Sequence, residues 1–175
     1  MNQGLVHIYC GDGKGKTTAA LGLGLRASGH GLKVLLVQFL KSGDTGELTA
    51  VEKLDGFRII RGKGGRHFSP AMSEEEINET IRLHNINLEL AIAEAGKGAC
   101  DLLILDEVIG AVNKEMLNRE RLIEFIKAKP SGLEVVLTGR NPDQELLALA
   151  DYVSEIRKVR HPLDRGIGAR KGIEK

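Results

Sequence analysis

Residues 11–18 read GDGKGKTT and follow an apolar run that ends at Cys10. Gly11, Gly13 and Gly15 leave the backbone free to turn its N–H groups inward around phosphate oxygens. Asp12, Lys14, Lys16, Thr17 and Thr18 fill the remaining positions. Lys16 supplies a mobile point charge, and Thr17 can place a hydroxyl on a Mg²⁺ ion bound to the phosphates. The helix expected to follow offers its positive end to the same anion. The pattern departs from G-x-x-x-x-G-K-[ST] at one place, since Cys10 stands where the first glycine would fall. A glycine-rich turn with chance lysines is the alternative. It does not explain why the turn joins a buried strand to a helix.

Residues 102–107, LLILDE, supply the second half of such a site: a buried strand ending in a carboxylate that can hold the metal. The residues leave open whether Asp106 or Glu107 meets it. Arg140 follows another strand and a glycine, and could serve a phosphate or a neighbouring acid. His67 and Phe68 lie in a glycine- and charge-rich stretch, RGKGGRHFSP. The aromatic ring there could stack on a flat ligand or plug the sheet edge. His7 falls mid-strand and reads as a satisfied core residue.

These groups must be positioned by elements whose patterns alternate along the chain. Strand-like runs cover Gly4–Cys10, Lys33–Leu40, Phe57–Ile60, Asp101–Leu105, Leu133–Leu137 and Tyr152–Val159. The spacing predicts helices over Lys16–Ser28, Glu74–Ala95 and Arg119–Lys127, and a further start at 141–144, NPDQ, with Asn141 as cap and Pro142 first. Ser73 and Glu76 form a capping box for the long helix. Alternating strands and helices argue for a mostly parallel sheet with helices on both faces. Ligands in such sheets sit beyond the carboxyl ends of the strands, where all the polar clusters above fall.

The chain of 175 residues suits one domain, with a locally basic tail from about residue 157. At 42% hydrophobic and 3% aromatic, without Trp, its core is aliphatic. The net charge of +1 argues against a global pull toward nucleic acid or membrane. Cys10 and Cys100 read as small core residues of a reducing compartment. No apolar stretch is long enough to span a bilayer, and the reading is a cytoplasmic protein.

The stretches GDGKGKTTAALGLGLRASGHG, VLLVQFLK, LLILDE, VVLTGRN and LADYVSEIRKVRHPLDRGIGARKGIEK, in this order, resemble the ATP:corrinoid adenosyltransferases of the CobA/BtuR type. The resemblance implies a three-layer, RecA-like P-loop α/β fold. It implies transfer of the 5′-deoxyadenosyl group of ATP to the Co(I) of a reduced corrinoid, with release of triphosphate, in adenosylcobalamin biosynthesis or salvage. The corrinoid is itself the nucleophile, which accords with the lack of a Ser/His/Asp or Cys/His constellation. ATP would be held by residues 11–18 and Arg140, with Lys16 stabilising charge. Mg²⁺ or Mn²⁺ would be held by Thr17 and Glu107, with Asp106 as a further candidate ligand, and the corrinoid would meet His67 and Phe68. Relatives carry a Phe and a Trp in that last stretch, and this chain has Phe68 alone. A flavoprotein reductase and a homodimer are further implications. The rival readings are a P-loop ATPase or small-molecule kinase, and a nucleotide-binding regulatory subunit.

Overall fold

Strands buried on both faces read as unbroken apolar runs, and the runs in this chain become the centre of its sheet. In a computed structural model, which describes residues 3–41, 46–61 and 72–174, six parallel strands lie in the order β3-β2-β4-β5-β1-β6. They are β1 (Val6–Cys10), β2 (Val34–Gln38), β3 (Phe57–Arg61), β4 (Leu102–Asp106), β5 (Glu134–Thr138) and β6 (Tyr152–Glu155). The helices are α1 (Lys16–Gly29), α2 (Gly46–Val51), α3 (Glu74–Gly96), α4 (Val108–Asn113), α5 (Arg119–Ala128) and α6 (Gln144–Leu149). A short 3₁₀ turn spans Pro162–Arg165. The layering matches the expected three-layer α/β fold.

Alternation along the strands divides the core in two. Val6, Ile8, Leu35, Val37, Leu103, Leu105, Val135 and Leu137 face one side, with α3, α4 and α5. Val34, Leu36, Leu102, Ile104 and Val136 face the other, beneath Ala20 and Ala27 of α1. Cys10 and Cys100 are free thiols buried in the first layer, as the sequence implies.

The capping box forms: Glu76 N–H donates to Ser73 Oγ at 3.2 Å, and Ser73 N–H to the Glu76 carboxylate at 2.9 Å. His7 is a satisfied residue, with Nε2 2.5 Å from Glu134 Oε1 and its ring stacked on Tyr152. Three expectations need correction. Asp143, not Asn141, caps α6, accepting from Leu146 N–H. Asn141 instead takes a left-handed turn at φ 52, and Pro142 lies outside the helix. The last strand stops at Glu155, where its chain leaves the sheet to pass over the loop after β1. Helices α2 and α4 have six residues each, too few to show a helical period, and the sequence reading does not contain them.

His84 of α3 is buried and reaches across to the exit of β2. Its Nε2 accepts the Leu40 N–H at 3.3 Å, and its Nδ1–H donates to the Met116 carbonyl at 3.2 Å. Leu40 itself sits at φ 56, so this bond helps hold a strained turn. Burial holds the imidazole pKa below its usual 6.5. The fold therefore binds fewer protons than the unfolded chain, and the His84 contribution is complete above pH 6.5 and lost as pH falls below it. Thermal melts should show stability declining below about pH 6.5, above the range where carboxylates titrate, and a shallower decline in His84→Gln.

Candidate functional site

The loop of residues 11–15 joins β1 to α1, and its shape is set from the far end of the chain. Ile156 N–H donates to the Cys10 carbonyl and Gly13 N–H to the Ile156 carbonyl, both at 2.8 Å. Asp12 accepts the Lys158 N–H at 2.9 Å, and this bond holds its carboxyl below the usual range. A Cβ at Gly11 would lie 2.4 Å from the Ile156 carbonyl oxygen, and one at Gly13 2.7 Å from it. These two glycines make room for the strand leaving β6. Gly15 differs: its φ is 122, but a Cβ there would meet no described atom within 4 Å, so it faces open space. No described side chain caps α1, which leaves the amides of its first turn for an anion.

Lys16 is not a free-swinging charge. It is 7% exposed, and its ammonium donates to the carbonyls of Gly11 and Gly13 at 2.8 Å each. Burial depresses its pKa; nearby Glu107 and Asp12 work against the shift, and Arg140 with it. The amine stands across the loop, where its charge is held ready for an anion in the cleft.

The two acids occupy different environments, and Asp106 is the inner one. It is fully buried and gathers four donors from the described residues. Thr17 and Thr138 hydroxyls donate to Oδ1 at 2.9 and 2.7 Å; Lys41 and Gln38 donate to Oδ2 at 2.7 and 3.3 Å. Strand parity explains the convergence. Gln38, Asp106 and Thr138 each continue the face that carries Leu36, Ile104 and Val136 under α1. Where α1 begins, that face turns from apolar to polar, directly beneath Thr17.

Glu107 turns away at φ 59, its N–H bonded to Thr138 Oγ1, and its carboxylate lines the cleft. Arg140 lines the same cleft, and its carbonyl is anchored by the Asn113 amide at 2.8 Å. Asp12, Gly13, Lys14, Gly15, Lys16, Thr17 and Thr18 border it as well. His67 and Phe68 lie outside the described residues. Gln38, Lys41 and Thr138 were missed as site residues. The signals were a polar break in an apolar run at Gln38, and hydrophilic residues just past or at the ends of β2 and β5.

The cleft has a volume of about 890 Å³, within the range of small-molecule sites. Its floor is the polar loop. Its walls are apolar, with Leu21 and Leu25 of α1, Leu54, and Leu163, Ile167 and Ile173 of the C-terminal segment. That segment folds back over the loop, bringing Glu174 to 3.6 Å from Lys14. Thr17 Oγ1 and the two adjacent acids are oxygen donors suited to a hard cation that phosphates would complete. Among the described residues no group of three acidic, His or Cys side chains could hold a metal by itself.

A parallel α/β sheet, a glycine loop opening an uncapped helix, and a buried strand-end acid bonded to the helix threonine define a P-loop nucleotide-binding protein. The KaiC-like protein PH0186 of Pyrococcus horikoshii shares this fold at a TM-score of 0.54, with 16% identity over 87% of this chain and 71% of that one. The sequence matches the ATP:corrinoid adenosyltransferase BtuR/CobO/CobP family over residues 2–174, and the chain belongs to that family. The corrinoid adenosyltransferase CobA of Salmonella typhimurium is 34% identical over 98% of this chain and 86% of its own length. The corrinoid adenosyltransferases of Escherichia coli and Pseudomonas aeruginosa are 33% and 34% identical, again over 98% of this chain, and 86% and 84% of theirs.

The unequal roles of the glycines lead to opposite expected outcomes. Gly13→Ala should cost about 1–3 kcal/mol by forcing the Ile156 backbone away. Gly22→Ala, on α1 with open space at its Cβ position, should stabilise by about 1 kcal/mol. Urea denaturation of the two variants checks both.

Proposed function

We propose that this protein transfers the 5′-deoxyadenosyl group of ATP to the cobalt of a reduced corrinoid and releases triphosphate. Family membership carries this reading, and the arrangement of the cleft supports it. In the reaction the Co(I) electron pair attacks C5′ of the ribose. A Co–C bond forms, the C5′–O5′ bond breaks, and its electrons leave on the triphosphate oxygen. No side chain need act as nucleophile or base.

The chain's own part is to place C5′ in line and to stabilise charge on the departing oxygen. The amides of residues 14–18 and the ammoniums of Lys14 and Lys16 hold the polyphosphate. Arg140 approaches from the end of β5. Thr17, with Asp106 behind it and Glu107 beside it, would hold Mg²⁺ or Mn²⁺, which when bound neutralises phosphate charge. The apolar walls, including the C-terminal segment, keep water from the reacting carbon. On the corrinoid side, His67 and Phe68 are proposed from the sequence, as contacts that favour loss of the lower axial ligand. A cytoplasmic location, a flavoprotein electron donor and a homodimer belong to the same proposal. Among the described residues no helix is long and apolar enough to cross a membrane.

Product analysis tests the reaction. With ATP, Mg²⁺, cobalamin and a strong reductant, the protein should yield triphosphate and a light-sensitive adenosylated corrinoid. ADP as the product would make it a kinase or ATPase, and ATP binding without turnover a regulatory subunit. Lys16→Ala should lower kcat/KM by about 100-fold or more. Phe68→Ala should slow the reaction from Co(II) more than from pre-formed Co(I); equal losses would remove Phe68 from the axial-ligand step.

A further inference from the structure

Lys41 is the residue that the adenosyl-transfer reading leaves without a task. It follows the strained turn at Leu40, which His84 holds through the backbone N–H. Its ammonium lies 2.8 Å from Thr17 Oγ1 and 2.7 Å from Asp106 Oδ2. Thr17 sends its own proton to the other carboxylate oxygen, Oδ1, at 2.9 Å, so its lone pairs are turned toward Lys41. The cation therefore bridges two of the oxygens that the proposed function assigns to the metal site. Asp106 is wholly buried, and Lys41 is 22% exposed. Among the four described donors to Asp106, Lys41 is the one that carries a full charge.

We propose that Lys41 is the resident counter-ion of the metal subsite, closing it to free divalent cations until a nucleotide arrives. The proposal rests on the reading above, in which Thr17, with Asp106 and Glu107, holds the metal. An ammonium and a divalent ion cannot share one point, and their repulsion at such range is large. Removing the ammonium with nothing in return would leave a buried carboxylate short of a cation, so a free metal must displace Lys41 at full cost. A metal carried in by a polyphosphate meets a different balance. The phosphate charge gives the released ammonium a new partner, and Lys41 already borders the cleft that the polyphosphate would enter. The four-carbon stem allows the head to swing while the backbone stays fixed by His84. Metal and nucleotide thus enter as one complex, and Lys41 passes from the carboxylate to the phosphates as they do.

Electron paramagnetic resonance of Mn²⁺ tests this without any turnover, on the full chain with no corrinoid present. The wild-type protein alone should leave the free Mn²⁺ signal unchanged, and protein with ATP should diminish it beyond what ATP alone does. Lys41→Met should bind Mn²⁺ without ATP at least about tenfold more tightly than wild type. Adding Asp106→Asn to that variant should abolish the gain. Lys41→Arg, which keeps the charge, should exclude free Mn²⁺ as the wild type does. Thermal melts without metal establish that each variant is folded, with Lys41→Gln as the substitute if Lys41→Met is not.

Equal Mn²⁺ binding by the nucleotide-free wild type and Lys41→Met would overturn the proposal. So would failure of both to bind without ATP while both bind with it; the metal reading would then survive and the gate would not. If ATP brings no Mn²⁺ to either protein, the metal reading itself falls, and the gate with it.

Discussion

A carboxylate with no exposure to solvent governs the architecture of this protein. Asp106 closes the central strand β4, and burying its charge is made tolerable by four donors that converge on it from the described residues. Those donors come from separate elements: Thr17 from α1, Gln38 from β2, Lys41 from the turn beyond it, and Thr138 from β5. Satisfying one side chain therefore fixes the helix after the phosphate loop against the ends of the neighbouring strands. The result is a rigid polar knot at the carboxyl edge of the sheet. Loops that meet a ligand radiate from it.

Backbone strain gathers around the same edge. Leu40, Glu107 and Asn141 all have positive φ, and each follows the end of a strand, β2, β4 and β5 respectively. Such conformations persist where the surroundings over-determine them. Here the surroundings are visible: His84 bonds the Leu40 N–H, Thr138 takes the Glu107 N–H, and the Asn113 amide holds the carbonyls of Arg140 and Asn141. Each turn redirects the chain away from the sheet. A charged side chain, Lys41, Glu107 or Arg140, stands at or beside each turn and faces the cleft.

Much of this was legible in the sequence. Apolar runs marked the strands because burial on both faces removes the need for alternation. The loop of residues 11–18 was legible because glycines, lysines and threonines in that spacing have few other uses. Which of the two acids lies beneath α1 was encoded too, in parity: Leu102 and Ile104 share a face with Asp106, and α1 covers that face. Using the parity required knowing which layer α1 occupies, which is a tertiary fact. The reason for Gly11 and Gly13 was hidden for the same cause. Their crowding comes from Ile156, a contact that local pattern does not reveal. Asn141 was misread because a cap and a left-handed turn favour the same residue types.

The contact between Asp12 and Lys158 joins positions 146 apart. A chain emerging from the ribosome has made residues 11–18 long before it has made the strand that braces them. The early half must wait, holding an unfinished turn, until the segment past Ile156 is released and β6 can dock. The bracing of the loop is therefore a late event in the making of this fold, added by a segment synthesised some 146 positions after the loop itself.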